Sequence, residues 1–182
     1  MAKTFELMEE PMPAPSGNKA VAGGPSSRLS DLGIVLPAPP TPLGAYVESS
    51  DAGNLLFLSG TLPVVNRKLA ISGRLGENLS VKEGQEAARG AALNALAVAK
   101  EHLGDLDRLK KLVKLTVLIA TSEQFIDHAP VADGASDLFV KIFGPEAGHV
   151  RLVYGVQSLP IGAPVIVDVI FEIEPMRHST SK

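Results

Sequence analysis

The chain has 182 residues, 45% of them hydrophobic, and a formal net charge of −3, which is typical of one globular domain with a substantial core. It contains no cysteine, so disulfides, thiolate nucleophiles and zinc–cysteine sites are excluded. No apolar run approaches the roughly 18 residues of a membrane span. The basic residues are scattered, so we expect neither a membrane nor a nucleic acid as partner.

The two ends of the chain differ from its middle. Residues 1–27 are dominated by proline, glycine, serine and alanine, which predicts a flexible N-terminal tail. They resemble neither a secretory signal nor an arginine-rich transit peptide, so a cytoplasmic location is the default expectation. We predict one folded domain over residues 28–175 and a short C-terminal tail over 176–182.

The first half of this domain reads as a short helix followed by strands. Residues 28–36 favour a helix, and a proline-rich extended segment follows it. Strands are predicted over 45–49 and 54–61, joined by a turn at Asp51-Ala52-Gly53-Asn54. A third, short strand is expected near 69–72.

Two long helices flank the next strand. Ser80 and Glu83 form a capping-box pattern that opens a helix running to Leu103. Its apolar stripe is mostly alanine, which predicts close packing on a sheet rather than a ligand-lining groove. Residues 112–120 are too apolar for an edge strand, so we expect a central one. A second helix is predicted over 130–143.

The C-terminal quarter predicts a hairpin, in which a turn over 158–164 joins a strand carrying Arg151 to an alternating last strand. The pattern as a whole predicts an α+β fold, a mixed β-sheet with two helices packed on one face. Because the strands are apolar on both sides, the second face should be buried against other subunits. The residues expected to face one side of the last strand are Val165, Val167, Val169, Phe171 and Ile173; those expected on the other are Ile166, Asp168, Ile170 and Glu172.

The common catalytic motifs are missing from the sequence. It has no GxSxG, P-loop or GxGxxG pattern, and its four histidines lack metal-ligand spacing. We therefore predict no cofactor and no metal. Arg151 remains to be explained, because a charged guanidinium beside apolar strands needs an anion. It either forms a salt bridge with Asp168 or Glu172, or binds the carboxylate or phosphate of a ligand. Tyr46 either packs or caps a pocket.

Several segments together resemble the Rid family, also called YjgF and labelled endoribonuclease L-PSP or chorismate mutase-like. The resemblance spans Leu43 to Glu174 and rests on Leu43-Gly44-Ala45-Tyr46-Val47, on Gly53 through Pro63, on Gly134 through Leu138, and on Arg151 followed by Ser158-Leu159-Pro160. It implies the chorismate mutase-like fold, as a homotrimer whose sheets form a central β-barrel. The ligand clefts would then lie between neighbouring subunits.

The resemblance also implies a function, the hydrolysis of reactive enamines and imines to keto acids and ammonia. In that scheme Arg151 holds the carboxylate of a small metabolite, Tyr46 lines the cleft, and Ser59 and Gly60 shape its wall. The chemistry needs orientation and one proton shuttle rather than a cofactor. The chain departs from the family at Ile166, which stands where an acidic residue positions the attacking water.

Two further residues bear on this departure. Asp168 lies about 6.5 Å further along the same face of the strand and is a possible substitute acid. Asp133 stands where deaminating members often have asparagine. Together with Asp168 it can satisfy Arg151 internally and repel a substrate carboxylate. The alternative function is a non-catalytic small-molecule binder on the same trimer. An endoribonuclease is opposed by the acidic charge, and a chorismate mutase by the single evident cation.

Overall fold

The computed structural model describes residues 23–42 and 44–175. Within this part of the chain three α-helices and seven β-strands follow one another. Their order is α1 Pro25–Asp31, β1 Ser49–Ala52, β2 Leu55–Leu58, β3 Val64–Val65, β4 Lys68–Leu69, α2 Val81–Leu103, β5 Leu109–Ala120, α3 His128–Phe143, β6 Val150–Val156 and β7 Val165–Ile173.

Five strands form one mixed sheet in the order β1-β2-β7-β5-β6, and β3 and β4 form a separate hairpin. β5 is central, as predicted, and it pairs antiparallel with β7 and parallel with β6. The parallel pair is connected through α3, because parallel neighbours need a crossover rather than a tight turn. α2 and α3 pack on the same face of the sheet, which confirms the α+β class.

Helix α2 forms as its sequence predicts. The Ser80 side chain accepts from the Glu83 backbone N–H, and the Glu83 carboxylate accepts from the Ser80 N–H at 2.8 Å. Both bonds satisfy donors that the first turn leaves without intrahelical partners. Small side chains let the helix approach the sheet closely. The residues of the predicted stripe are all buried: Ala88, Ala91, Ala92, Ala95, Leu96, Ala99 and Leu103.

The alternation predicted for the last strand is also confirmed. In β7 every second side chain is buried, from Val165 to Ile173, and the residues between them are half-buried. The buried set faces α2 and α3. The Phe171 ring, for example, lies 5.8 Å from that of Phe139 in α3. Ile166 and Asp168 therefore lie on the face of the sheet that no helix covers.

The predicted C-terminal hairpin is wrong. β6 and β7 do not pair, because β5 lies between them and bonds to both. β5 is apolar along most of its length and pairs on both sides, with β6 and with β7. After Val156 the chain crosses the end of β5 and continues as β7 on its other side. The local sequence pattern could not distinguish this arrangement from a hairpin, because β6 and β7 run in opposite directions in both.

Smaller differences concern the N-terminal half. β1 begins at Ser49 rather than at residue 45, and the β3–β4 hairpin replaces a single short strand near 69–72. The first helix runs from Pro25 to Asp31 instead of 28–36. Three residues assigned to the N-terminal tail thus belong to α1, which packs against α3. The remainder of both predicted tails, residues 1–22 and 176–182, lies outside the described residues.

The uncovered face of the sheet carries large apolar side chains. Phe57, Leu152 and Tyr154 are 40%, 41% and 48% exposed, and Val150 is 65% exposed. Such a patch is typical of a surface that another molecule covers. Within residues 23–42 and 44–175 no helix is long and apolar enough to cross a membrane. The cytoplasmic location stays a prediction.

Candidate functional site

The predicted site residues other than Asp168, which lies on the middle strand β7, fall into two groups towards opposite edges of the sheet. Arg151 lies on edge strand β6, whereas Tyr46, Ser59 and Gly60 surround edge strand β1 and its neighbour β2. Four inter-strand steps separate the two edges, a distance of roughly 19 Å at the usual strand spacing. Gly60 lies nearer, against Ile166 of β7, but on the uncovered face, whereas Arg151 turns towards helix α3. We therefore do not expect one small ligand to contact both groups within one chain.

Arg151 is engaged by helix α3. Its Nη1 donates to Asp133 Oδ1 at 2.6 Å and to Ser136 Oγ at 3.1 Å. Ser136 is almost fully buried, and the Arg151 side chain keeps 28% exposure. Of the two acidic residues expected to satisfy the guanidinium internally, Asp133 does so and Asp168 does not. The contact with Asp133 also gives the cation a fixed orientation at the edge of the sheet.

The predicted alternative, a salt bridge from Arg151 to Asp168 or Glu172, is wrong. Arg151 pairs with Leu115 of β5 and Asp168 pairs with Thr116 of β5. Because successive residues of a strand point to opposite faces, Arg151 and Asp168 lie on opposite faces of the sheet. Glu172 forms an ion pair with Lys111 at 3.3 Å instead.

His149 completes the group at the β6 edge. Its Nε2 lies 3.2 Å from Ser136 Oγ. Burial, and secondarily the charge of Arg151, lowers the pKa of the His149 imidazole below its usual value. The ring is therefore neutral at pH 7, and Arg151 is the cation of this edge.

Tyr46 and Gly60 line a cavity of about 260 Å³ at the other edge of the sheet. Its further walls come from Glu48, from Arg67 in the β3–β4 turn, and from Ile161 in the loop before β7. The cavity thus collects residues from four separate segments. Ser59 does not line it, because its hydroxyl donates to the Val47 carbonyl at 2.7 Å.

Gly60 touches Ile166, the residue that the family resemblance predicts to stand in place of an acid. A Cβ placed on Gly60 would lie 2.8 Å from Ile166 Cγ2, closer than real Cβ contacts allow. The backbone and the isoleucine side chain therefore fit together only because residue 60 lacks a side chain. Asp168 does not line the cavity.

Sequence reasoning missed two charged residues of this cavity. Glu48 stands two residues after Tyr46, and that spacing on an extended chain was the available signal. Arg67 gave no signal, since it reaches the cavity only through the turn between β3 and β4. Within the part of the chain that the structure describes, neither Glu48 nor Arg67 has a hydrogen bond or ion pair through its side chain.

A larger cavity, of about 910 Å³, opens at the carboxyl ends of β5 and β6. Its arginine, Arg74, is bound to Glu77 at 2.6 Å and also donates to the Thr121 carbonyl. None of the predicted site residues lines this cavity. In residues 23–42 and 44–175 no group of three or more histidine, aspartate or glutamate side chains is placed to hold a metal ion.

Comparison with known proteins assigns most of the chain to one family. The model of the family described as "YjgF/chorismate mutase-like, putative endoribonuclease" matches residues 26–173. The protein TCP17 of Trypanosoma cruzi is 43% identical over 153 residues, which cover 84% of this chain and 96% of that protein.

Two solved structures agree in fold and in sequence. A Shewanella oneidensis protein described as a "putative endoribonuclease" is 35% identical with a TM-score of 0.79, and the match covers 83% of this chain and 100% of that one. Protein Atu1372 of Agrobacterium tumefaciens, of unknown function, is 37% identical with a TM-score of 0.74, covering 82% and 91%. The chain therefore belongs to the YjgF/chorismate mutase-like family, the Rid family that the sequence resembles.

Proposed function

We propose that the protein is a Rid-type hydrolase that converts a small carboxylate-bearing enamine or imine to a keto acid and ammonia. The observation that carries this proposal is the Tyr46 cavity. Its volume of about 260 Å³ lies below the roughly 300–1,000 Å³ of sites for drug-sized ligands, so it suits a small metabolite. Family membership supports the same reaction class.

The reaction asks little of the protein besides orientation. Water adds to the imine carbon, both of its protons move to the nitrogen in two successive transfers, and the C–N bond breaks as the C=O bond forms. Holding the imine and the water together supplies most of the acceleration. One ionisable side chain that takes up and returns a proton supplies the remainder.

Arg151 can hold the substrate carboxylate despite its contacts with α3. A guanidinium has five N–H donors in a planar fork, and only Nη1 is used by Asp133 and Ser136. Among the described residues, Nη2 and Nε have no partner. One edge of the fork is thus anchored to the helix while the other is available to a carboxylate.

We further propose a homotrimer with a central β-barrel, which would bring the β6 edge of one subunit to the Tyr46 cavity of the next. Two observations support it: these edges are roughly 19 Å apart in one chain, and the uncovered face is apolar at Phe57, Val150, Leu152 and Tyr154. A cleft between subunits would then combine Arg151 with Tyr46, which we do not expect within one chain.

A second candidate function is a non-catalytic binder of small carboxylates on the same trimer. Ile166 favours it, because that side chain cannot transfer a proton. The ion pair between Arg151 and Asp133, at 2.6 Å, favours it too, since it reduces the positive charge offered to a substrate.

Ammonia release distinguishes the two. Freshly generated 2-aminoacrylate or 2-iminobutanoate is given to the wild-type protein and to Arg151→Ala, and ammonia is followed above the uncatalysed rate. We expect turnover with the wild type and a marked loss in the variant. Equal rates at background for both proteins would contradict hydrolysis. Thermal stabilisation by 2-oxobutanoate without turnover would instead identify a binder.

A further inference from the structure

We propose that Glu48 is the side chain that transfers the proton in this reaction, in place of the acid that Ile166 replaces. This inference rests on the proposed hydrolysis and adds a residue to which neither the sequence pattern nor the family resemblance assigns a role. Position, isolation and environment of the carboxyl group each support it.

The position of Glu48 follows from the β1–β2 ladder. The Ser59 N–H donates to the Glu48 carbonyl at 2.9 Å, which extends the ladder one step beyond the Ser49–Leu58 pair. Ser49 faces the helices, because its hydroxyl lies 3.0 Å from His102 Nδ1 of α2. Glu48 itself lies in the bend before β1, and it lines the cavity together with Gly60, whose missing Cβ would meet Ile166 of the uncovered face.

Glu48 also lies close to the position of the missing acid. It lines the same cavity as Gly60, and Ile166 Cγ2 lies against the Gly60 backbone. A carboxylate entering from β1 can therefore reach the space that a longer acidic side chain at position 166 would occupy. Asp168, the substitute expected from sequence, is not part of the cavity wall.

The surroundings of Glu48 suit acid–base chemistry. Tyr46 and Arg67 are the other ionisable side chains that line the cavity, and among the described residues no ion pair or hydrogen bond holds the Glu48 carboxylate. Burial raises the pKa of this carboxyl above its usual value. A carboxyl with a raised pKa is a stronger base than an exposed one, and near neutrality it holds the proton that it must return better than a salt-bridged one would.

The proton balance is complete without a further reactant. The Glu48 carboxylate removes a proton from the water as the water oxygen bonds to the imine carbon. The resulting carboxylic acid gives that proton to the nitrogen of the tetrahedral intermediate. The Glu48 carboxylate then takes the remaining hydroxyl proton and passes it to the nitrogen as the C–N bond breaks and the C=O bond forms, so ammonia leaves with both water protons and the protein returns to its starting state.

The test compares Glu48→Gln with Glu101→Gln, a matched change at an exposed residue of α2, in the full-length protein. Glutamine keeps the shape of the side chain and removes its ionisation. We expect Glu48→Gln to lower kcat at least about 100-fold, the lower end of the range for general acid–base groups. The affinity for 2-oxobutanoate should change less than about threefold, and Glu101→Gln should behave as wild type.

Further readouts separate a proton-transfer role from a structural one. In the wild type, the kcat/KM profile should rise with pH as Glu48 ionises, and this limb should disappear in Glu48→Gln. Glu48→Asp should recover part of kcat. Full activity of Glu48→Gln, or loss of activity in Asp168→Asn alone, would overturn the role of Glu48 while leaving hydrolysis intact. A wild type that binds 2-oxobutanoate but releases no ammonia would overturn both.

Discussion

The two edges of the sheet differ in whether their charged side chains are paired. At the β6 edge the cation is already paired, since Arg151 bonds to Asp133 and Ser136 of the adjacent helix. At the β1 edge the cavity holds Glu48 and Arg67, which are unpaired among the described residues. In the proposed function one edge is the preorganised anchor and the other carries the groups that react, so a complete site would require both.

The largest effect should come from removing the anchor. Arg151→Ala deletes a charged hydrogen-bonding group and should weaken the binding of 2-oxobutanoate roughly 10- to 100-fold, the usual value of such a contact. Calorimetric titration measures the affinity. The Tyr46 cavity should keep its shape, because β6 lies at the far edge of the sheet. Unchanged affinity would separate Arg151 from the ligand.

Gly60→Ala tests how tightly the cavity wall is packed. The new methyl group would lie 2.8 Å from Ile166 Cγ2, and we expect a loss of about 1–3 kcal/mol in the free energy of unfolding, typical of overpacking. Urea denaturation measures it. In the double variant with Ile166→Ala the clash is removed, so the two changes should be less destabilising together than their sum. Strict additivity would show that the contact is not the cause.

Asp133→Asn tests the ion pair at the β6 edge in the opposite direction. Removing the negative charge leaves Arg151 more attractive to an anion, so 2-oxobutanoate should bind about threefold to tenfold more tightly. Neutral small molecules of similar size should bind as before. Weaker binding of the keto acid would mean that Asp133 mainly orients the guanidinium for its ligand.

Arg67→Gly should stabilise the fold and weaken binding. Arg67 adopts a left-handed conformation, with φ at 65°, in the two-residue turn where glycine is preferred. We expect a gain of about 0.5–1 kcal/mol in the free energy of unfolding. Arg67→Ala removes the side chain without relieving the backbone, so it should weaken ligand binding without that gain. If neither variant affects binding, the side chain has no role in the cavity.

The smallest effect concerns the stability of Glu48→Gln as a function of pH. Because burial raises the pKa of Glu48, the folded chain holds this proton more tightly than the unfolded chain. The stability that results is present at low pH and is lost as pH rises through the folded pKa. Glutamine does not ionise, so the variant should melt at a higher temperature than the wild type at neutral pH. The difference should vanish near about pH 4.

Local patterns predicted the parts of the fold that depend on local physics. The Ser80 capping box and the alternation of β7 each involve a few neighbouring residues and were predicted correctly. The position of β6 in the sheet was not predicted correctly, because strand pairing depends on residues far apart in the sequence. β5 can pair along both of its edges, and its sequence does not specify which strand pairs with which edge. The predicted hairpin failed for this reason.

The site was predictable to the same limited degree. Tyr46, Gly60 and Arg151 were identified through the family resemblance. Arg67 and Ile161 reach the cavity only through turns with left-handed residues, and such turns leave little trace in the sequence. Glu48 became visible once the structure placed it in the wall of the cavity with Gly60.

The central claim, that the two edges meet between subunits, can be tested by mixing two inactive variants. Arg151→Ala and Glu48→Gln are combined in equal amounts, unfolded and refolded together, and ammonia release is measured. In a cyclic trimer each site takes Glu48 from one subunit and Arg151 from its neighbour, so about a quarter of the sites should regain both residues and about a quarter of wild-type activity should return. If the refolded mixture is no more active than the two variants measured separately, the two edges do not form a shared site.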